Sequence, residues 1–226
     1  MPEPRRQLYG RHKGKPLSPA RERLMDDLLP RLRLDVGSPP PADVADLFDN
    51  VADVHVEIGF GGGEHLVAKA GAHPQRGFIG VEPFVYGLSR AVHDIDRLGL
   101  HNVRLYDDDA AFLLAWLPDA SIARVELPFP DPWPKRRHHK RRFVNPANLD
   151  RLARVLKPGG TFLVATDWAG YADWTLQRVR SHPAFAWTAR RAADWREPPP
   201  GWTTTRYQAK AATAGRASVF LEFLRI

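Results

Sequence analysis

The chain has 226 residues, of which 43% are hydrophobic, enough for a sizeable buried core and too apolar for a disordered tail. It contains no cysteine, which removes disulfides, thiolate zinc sites, iron–sulfur clusters and cysteine nucleophiles together. No stretch approaches the roughly 18 uninterrupted apolar residues of a membrane span, and no apolar signal core follows Met1-Pro2-Glu3, so the expected setting is the cytoplasm, away from any membrane.

The formal charge of +7 is unevenly held. Residues 1–33 carry nine Lys/Arg against four Asp/Glu and residues 135–142 carry six against none, which leaves the rest slightly acidic. Two short cationic blocks on such a body suit a polyanion met at particular places, nucleic acid first; a pair of solvated surface tails is the plain alternative.

In chain order, residues 1–41 read as a basic amino-terminal arm closed by Pro39-Pro40-Pro41. Ser18-Pro19 marks a helix start, with Leu24, Leu28, Leu29 and Leu32 at helical spacing, so the arm should hold one amphipathic helix. It could be ordered over the ligand site or fold only on RNA. Residues 42–226 form the main domain. There, β-rich runs at Val54–Ile58, Phe78–Glu82, Val103–Tyr106, Val125–Leu127 and Thr161–Thr166 are spaced to admit a helix between each pair, as in a doubly wound α/β domain. Asn145-Pro146 starts a further helix and Lys157-Pro158-Gly159-Gly160 stops it. A helix-like Tyr171–Ser181 follows, and Ser218–Ile226 predicts a terminal strand pair.

Gly59, Gly61 and Gly63 follow the first strand at alternate positions, which lets the backbone approach a ligand at the strand's carboxyl end. A dinucleotide fingerprint needs glycine where Glu64 stands, and an acid opening the next helix disfavours a pyrophosphate there. S-adenosylmethionine, with an ammonium and a sulfonium and no phosphate, suits Glu57 and the loop carbonyls better. Glu82 ends the second strand where a carboxylate would accept from both ribose hydroxyls. Asp107-Asp108-Asp109 follows the third strand; Asp109 near an adenine edge is the favoured reading, against a magnesium site or a solvated turn.

The most specific stretch runs Phe129-Pro130-Asp131-Pro132-Trp133-Pro134-Lys135-Arg136-Arg137-His138-His139-Lys140-Arg141-Arg142. Its prolines present Asp131 and Trp133 in a fixed geometry beside six cations suited to phosphates. Trp133 either meets an unstacked base or packs the loop. The adjacent histidines lack further clustered ligands, so no metal site is expected. Trp116, Trp168, Trp174, Trp187, Trp195 and Trp202 read as packing residues.

This segment, with Glu57–Gly63, Val81-Glu82, Asp109 and Ala165-Thr166-Asp167-Trp168, resembles the bacterial tRNA (guanine-N7)-methyltransferase, or TrmB, family over roughly residues 50–225. The resemblance implies a Rossmann-like class I methyltransferase: a mostly parallel seven-stranded sheet with helices on both faces, S-adenosyl-L-methionine as cofactor and 7-methylguanosine in the tRNA variable loop as product. It implies cofactor contacts from Glu57, Gly59, Gly61, Gly63, Glu82, Asp109 and Asp131, with Asp131 in the catalytic position. Lys135, Asp167, Thr205, Arg206, Tyr207 and Gln208 would face the guanosine. Arg136, Arg137, Lys140, Arg141 and Arg142 would follow the RNA backbone, and no obligatory protein partner is expected.

The family's carboxy-terminal motif is similar to Thr-Lys-Phe-Glu-x-Arg-Gly, whereas this chain reads Thr205-Arg206-Tyr207-Gln208-Ala209-Lys210-Ala211. Gln208 replaces a carboxylate; its amide oxygen can accept from a guanine edge, more weakly than an anion. An RNA-binding protein on an inactive methyltransferase fold is therefore the main alternative. A nicotinamide oxidoreductase would share the strand, loop and acid but gives the basic run no purpose.

Overall fold

The computed structural model describes residues 14–226; the first part of the basic arm, residues 1–13, lies outside the described residues. Seven strands form one sheet: β1 Asp53–Ile58, β2 Arg76–Val81, β3 Val103–Tyr106, β4 Ile122–Pro128, β5 Leu156–Thr166, β6 Phe185–Trp187 and β7 Val219–Arg225. Their order is β3-β2-β1-β4-β5-β7-β6, and β7 runs antiparallel to both its neighbours. Of the terminal strand pair expected at Ser218–Ile226, that run supplies β7 alone; its partner β6 lies earlier, at Phe185–Trp187, and the pair joins the parallel sheet through β5.

Helices α2 Glu64–Ala72, α3 Val85–Leu98, α4 Ala110–Trp116, α5 Pro146–Val155 and α6 Ala169–Arg180 follow the first five strands in turn. Beyond α6 come α7 Ala193–Arg196 and α8 Arg206–Thr213. Local signals set the boundaries. Asn145 and Thr205 each accept from the backbone N–H three residues on, Asp109 accepts from Ala111 N, and Pro146 opens α5, where its missing N–H costs nothing.

Because strand side chains alternate, β1 sends Val54, Val56 and Ile58 into the larger core, shared with Leu113, Leu149, Leu152 and Tyr171 of α4, α5 and α6. A second core lies under α2 and α3, where Leu66, Val67, Leu88, Val92 and Ile95 pack on Phe78, Val103 and Leu105. The other face of β1 is polar, carrying His55 and Glu57.

The arm's helix, α1 Pro19–Leu32, starts as expected, with Ser18 at the cap and Pro19 next. Leu24, Leu28, Leu29 and Leu32 pack on the second core. Just beyond it, Leu34 N donates to Leu105 O at 2.8 Å, and Arg33 pairs with Asp107 at 2.8 Å. The arm thereby covers the exposed edge of β3. Among the described residues no helix is long and apolar enough to cross a membrane.

Candidate active site

Parallel order aligns the carboxyl ends of β3, β2, β1, β4 and β5, so residues far apart in sequence form one row. Asp109, Glu82, the glycine loop, Asp131 and Asp167 follow those strands respectively. The loop after β1 has Gly59, Gly61 and Gly63 at φ +75°, +59° and +80°, where a side chain would be strained. A Cβ on Gly63 would stand 2.7 Å from that of Ala91, and one on Gly87 would fall 2.2 Å from the Gly61 carbonyl oxygen. Gly87, at the start of α3, is a requirement the sequence reading missed; only the fold brings it against the loop.

Glu82 fastens this corner. Its Oε2 accepts from Gly61 N at 2.7 Å and its Oε1 from Phe84 N at 3.0 Å. Burial pushes its carboxyl up to about 7, against the pull of those two backbone donors, with Asp131 and Glu57 adding like-charge repulsion.

Glu57 is 3% exposed. His65 Nδ1 donates to its Oε2 at 2.8 Å, while Oε1 is buried with no hydrogen-bond partner. A buried carboxylate oxygen without a donor fits an ammonium-bearing ligand such as S-adenosylmethionine. Glu57, His65 and Glu126 form a tight buried cluster, but Lys69 already stands 2.6 Å from Glu126 and Arg124 2.7 Å. Burial raises the Glu126 carboxyl, yet Lys69, Arg124 and His65 together hold it at about 2. Lys69 and Arg124 supply the positive charge that a metal ion would bring.

The three aspartates after β3 point separately. Asp107 meets Arg33, Asp108 Oδ1 accepts from Asp109 N at 2.8 Å, and Asp109 caps α4. They do not converge as ligands of one ion. Asp108 and Asp109 line a cleft of about 330 Å³ with Ile58, Gly59, Val81 and Phe143. Lys140, Arg141 and Arg142 line its far side, so the cleft sets apolar walls between two aspartates and three cations.

After β4 the chain turns through Phe129 at φ 49° and Trp133 at φ 41°. Both precede prolines and neither is glycine, so the turn is strained. Asp131 is exposed at its apex, and Lys135, Arg136, Arg137 and Lys140 lie exposed beyond it. Arg141 sits 4.8 Å over the Trp133 ring and His138 meets that ring edge-on at 5.8 Å, so Trp133 packs within the loop.

Arg142 departs from the rest of the basic run. It is 4% exposed, donates through Nε to Pro132 O at 2.9 Å and stacks 4.6 Å from the Trp174 ring centroid. Its place is beneath the strained turn, where an RNA backbone cannot reach it. The cause is chain direction: the short 3-10 helix 136–141 turns the run back over Trp174 and Tyr171.

The segment before and within α8 closes the mouth from the other side. Arg206 pairs with Glu64 at 2.9 Å. Tyr207, 57% exposed, lies over Gly61. Asp167 Oδ2 accepts from Arg216 Nε at 2.7 Å. Trp202 is the hub: its ring lies 4.3 Å from that of His65 and 5.1 Å from that of Phe220, and its Nε1 donates to Gln208 Oε1 at 2.7 Å. Trp168, read from sequence as core or edge packing, lies at the edge, 39% exposed, because it sits past the end of β5 at the cap of α6.

A seven-stranded sheet of this order, with its reversed strand next to the last and a glycine loop after β1, is the architecture of the class I methyltransferases. A family model described as "Putative methyltransferase" matches residues 51–221. A tRNA (guanine-N(7)-)-methyltransferase of Brucella melitensis is 54% identical over 96% of this chain and 94% of its own length. One of Rhizobium meliloti is 53% identical over the same shares. Among solved structures, the 16S rRNA methyltransferase KamB is similar in fold, with a TM-score of 0.62 at 16% identity over 83% of this chain and 94% of its own. The chain belongs to the tRNA (guanine-N(7)-)-methyltransferase family, and it is a methyltransferase that uses S-adenosylmethionine.

Proposed function

We propose that the protein methylates N7 of a guanosine in the variable loop of tRNA. The observation that carries this reading is the pairing of two features at neighbouring strand ends: a glycine-lined corner held by Glu82, and a strained turn presenting Asp131 beside exposed cations. S-adenosylmethionine supplies an electrophilic methyl group, which leaves its sulfonium sulfur for the guanine nitrogen. Glu82 would accept from the ribose hydroxyls, Asp109 would face the adenine, and Glu57 Oε1 would receive the ammonium group. Gly59, Gly61 and Gly63 allow the close backbone approach.

Guanine N7 keeps its lone pair at neutral pH, so no general base is needed and catalysis is mainly alignment. Methylation leaves positive charge on the ring. Asp131 would stabilise that charge while accepting from the guanine N1 and N2 donors. Lys135, Thr205, Arg206, Tyr207 and the second oxygen of Asp167 would surround the base. Arg136, Arg137, Lys140 and Arg141 would follow the phosphates, whereas Arg142 would hold the turn.

The test is transfer from labelled S-adenosylmethionine to unmodified tRNA, with nucleoside analysis and a control tRNA whose variable-loop guanosine is adenosine. Labelled 7-methylguanosine in the first tRNA only is the expected result. Binding of both ligands without product would instead favour an inactive RNA-binding protein.

A further inference from the structure

By the family resemblance Gln208 takes the place of a base-reading carboxylate, and the structure gives its amide one orientation. Trp202 Nε1 lies 2.7 Å from Gln208 Oε1. An indole nitrogen can only donate, so the atom facing it must be the amide oxygen. Nε2 is therefore directed away from Trp202. The backbone is fixed too, because Gln208 N donates to Thr205 Oγ1 at 3.1 Å. Trp202 is in turn wedged between His65 and Phe220, and His65 is tied to Glu57. The amide is thus a directed donor on a rigid mount.

We propose that Gln208 donates from Nε2 to O6 of the target guanine, with Trp202 as the positioning residue that sets the amide. This rests on the reading above that α8 faces the guanosine. A carboxylate at the same position could only accept, and would have to seek the N1 and N2 hydrogens. The amide instead reads the 6-position: guanine offers an acceptor there, while adenine offers an amino group that meets donor with donor. Gln208 then takes no part in recognising the 2-amino group, which falls to the aspartates.

Inosine separates the two modes, since it keeps O6 and N1–H and lacks only the 2-amino group. The experiment compares kcat/KM for tRNAs carrying guanosine or inosine at the target position, in the wild-type protein and in Gln208→Glu. On the same mount Gln208→Glu sets an oxygen against O6, which guanosine and inosine both carry, so kcat/KM should fall about tenfold for both tRNAs while the guanosine-over-inosine preference stays within about twofold of wild type. An unchanged kcat/KM, or a preference that rises in Gln208→Glu, would overturn the proposal. Trp202→Phe keeps the ring against His65 but frees the amide to rotate. Its tRNA KM should rise about three- to tenfold while kcat and the Kd for S-adenosylmethionine stay within about twofold; an unchanged tRNA KM would contradict the positioning role. Wild-type protein that forms no 7-methylguanosine would defeat the parent reading itself, whereas product with kcat/KM unchanged in Gln208→Glu defeats this inference alone.

Discussion

The loop after β1 turns through Gly59, Gly61 and Gly63 at positive φ, whereas the turn after β4 passes through Phe129 and Trp133 at φ 49° and 41°. The first conformation is nearly free for glycine. The second costs on the order of 1–3 kcal/mol at each residue, and both precede prolines, which favour extended backbone. The first loop must let a ligand approach the backbone. The second must hold an acidic side chain outward in one place, and it does so with prolines above and the buried Arg142 below. Strain is tolerated only where surrounding contacts over-determine the conformation, and Arg142 with Trp174 and Tyr171 supplies those contacts.

Removing the clamp should therefore have the largest effect on stability. Arg142→Ala strips the Pro132 carbonyl of its donor and the Trp174 ring of its stacked partner, so denaturant unfolding should show a loss of about 2–3 kcal/mol. Turnover should fall at least about tenfold, because the turn relaxes, while titration calorimetry finds cofactor affinity within about twofold of wild type. A loss of affinity equal to the loss of turnover would show that the two loops are not separable as described.

Gly87→Ala attacks the other region. Its Cβ would meet the Gly61 carbonyl, a backbone atom that can yield only by moving the loop, at a cost of about 1–3 kcal/mol. Here calorimetry should show cofactor affinity falling about tenfold or more, with tRNA affinity little altered.

Glu82 gives the cofactor side a pH signature. Its carboxyl is pushed up to about 7 by burial, and only the ionised form can accept from two ribose hydroxyls as well as its backbone donors. Cofactor affinity should rise with pH through about 7 and weaken roughly tenfold per unit well below it. In Glu82→Gln that dependence should disappear together with most of the affinity.

The smallest effect should come from the exposed cations. Replacing Arg136 and Arg137 by alanine should flatten the dependence of log Kd for tRNA on log salt by about 0.7–0.9 per residue. The Arg142 variant should leave that slope unchanged.

The strands and the glycine loop were legible because alternation, spacing and glycine are local signals, and β1, β3 and the cap at Asn145 fall where those signals place them. Arg142 was not legible as a clamp. In sequence it is the last of six cations, and only the fold shows that the chain has turned inward by then. Gly87, His65 and Trp202 were missed for a related reason. Gly87 matters through Gly61, 26 positions away, and Trp202 touches His65 across 137 positions of chain, distances over which composition and periodicity carry no information. Trp168 and Trp202 look alike as isolated tryptophans, yet one lies exposed beside Asp167 and the other fixes an amide.

Single-turnover methyl transfer by Asp131→Asn, with cofactor and tRNA both saturating, asks whether the β4 turn is where the reaction is assisted. The expected result is a rate lower on the order of a hundredfold, with both dissociation constants within about threefold of wild type. A full wild-type rate under those conditions would show that the carboxylate held at the apex of that turn has no part in the chemistry.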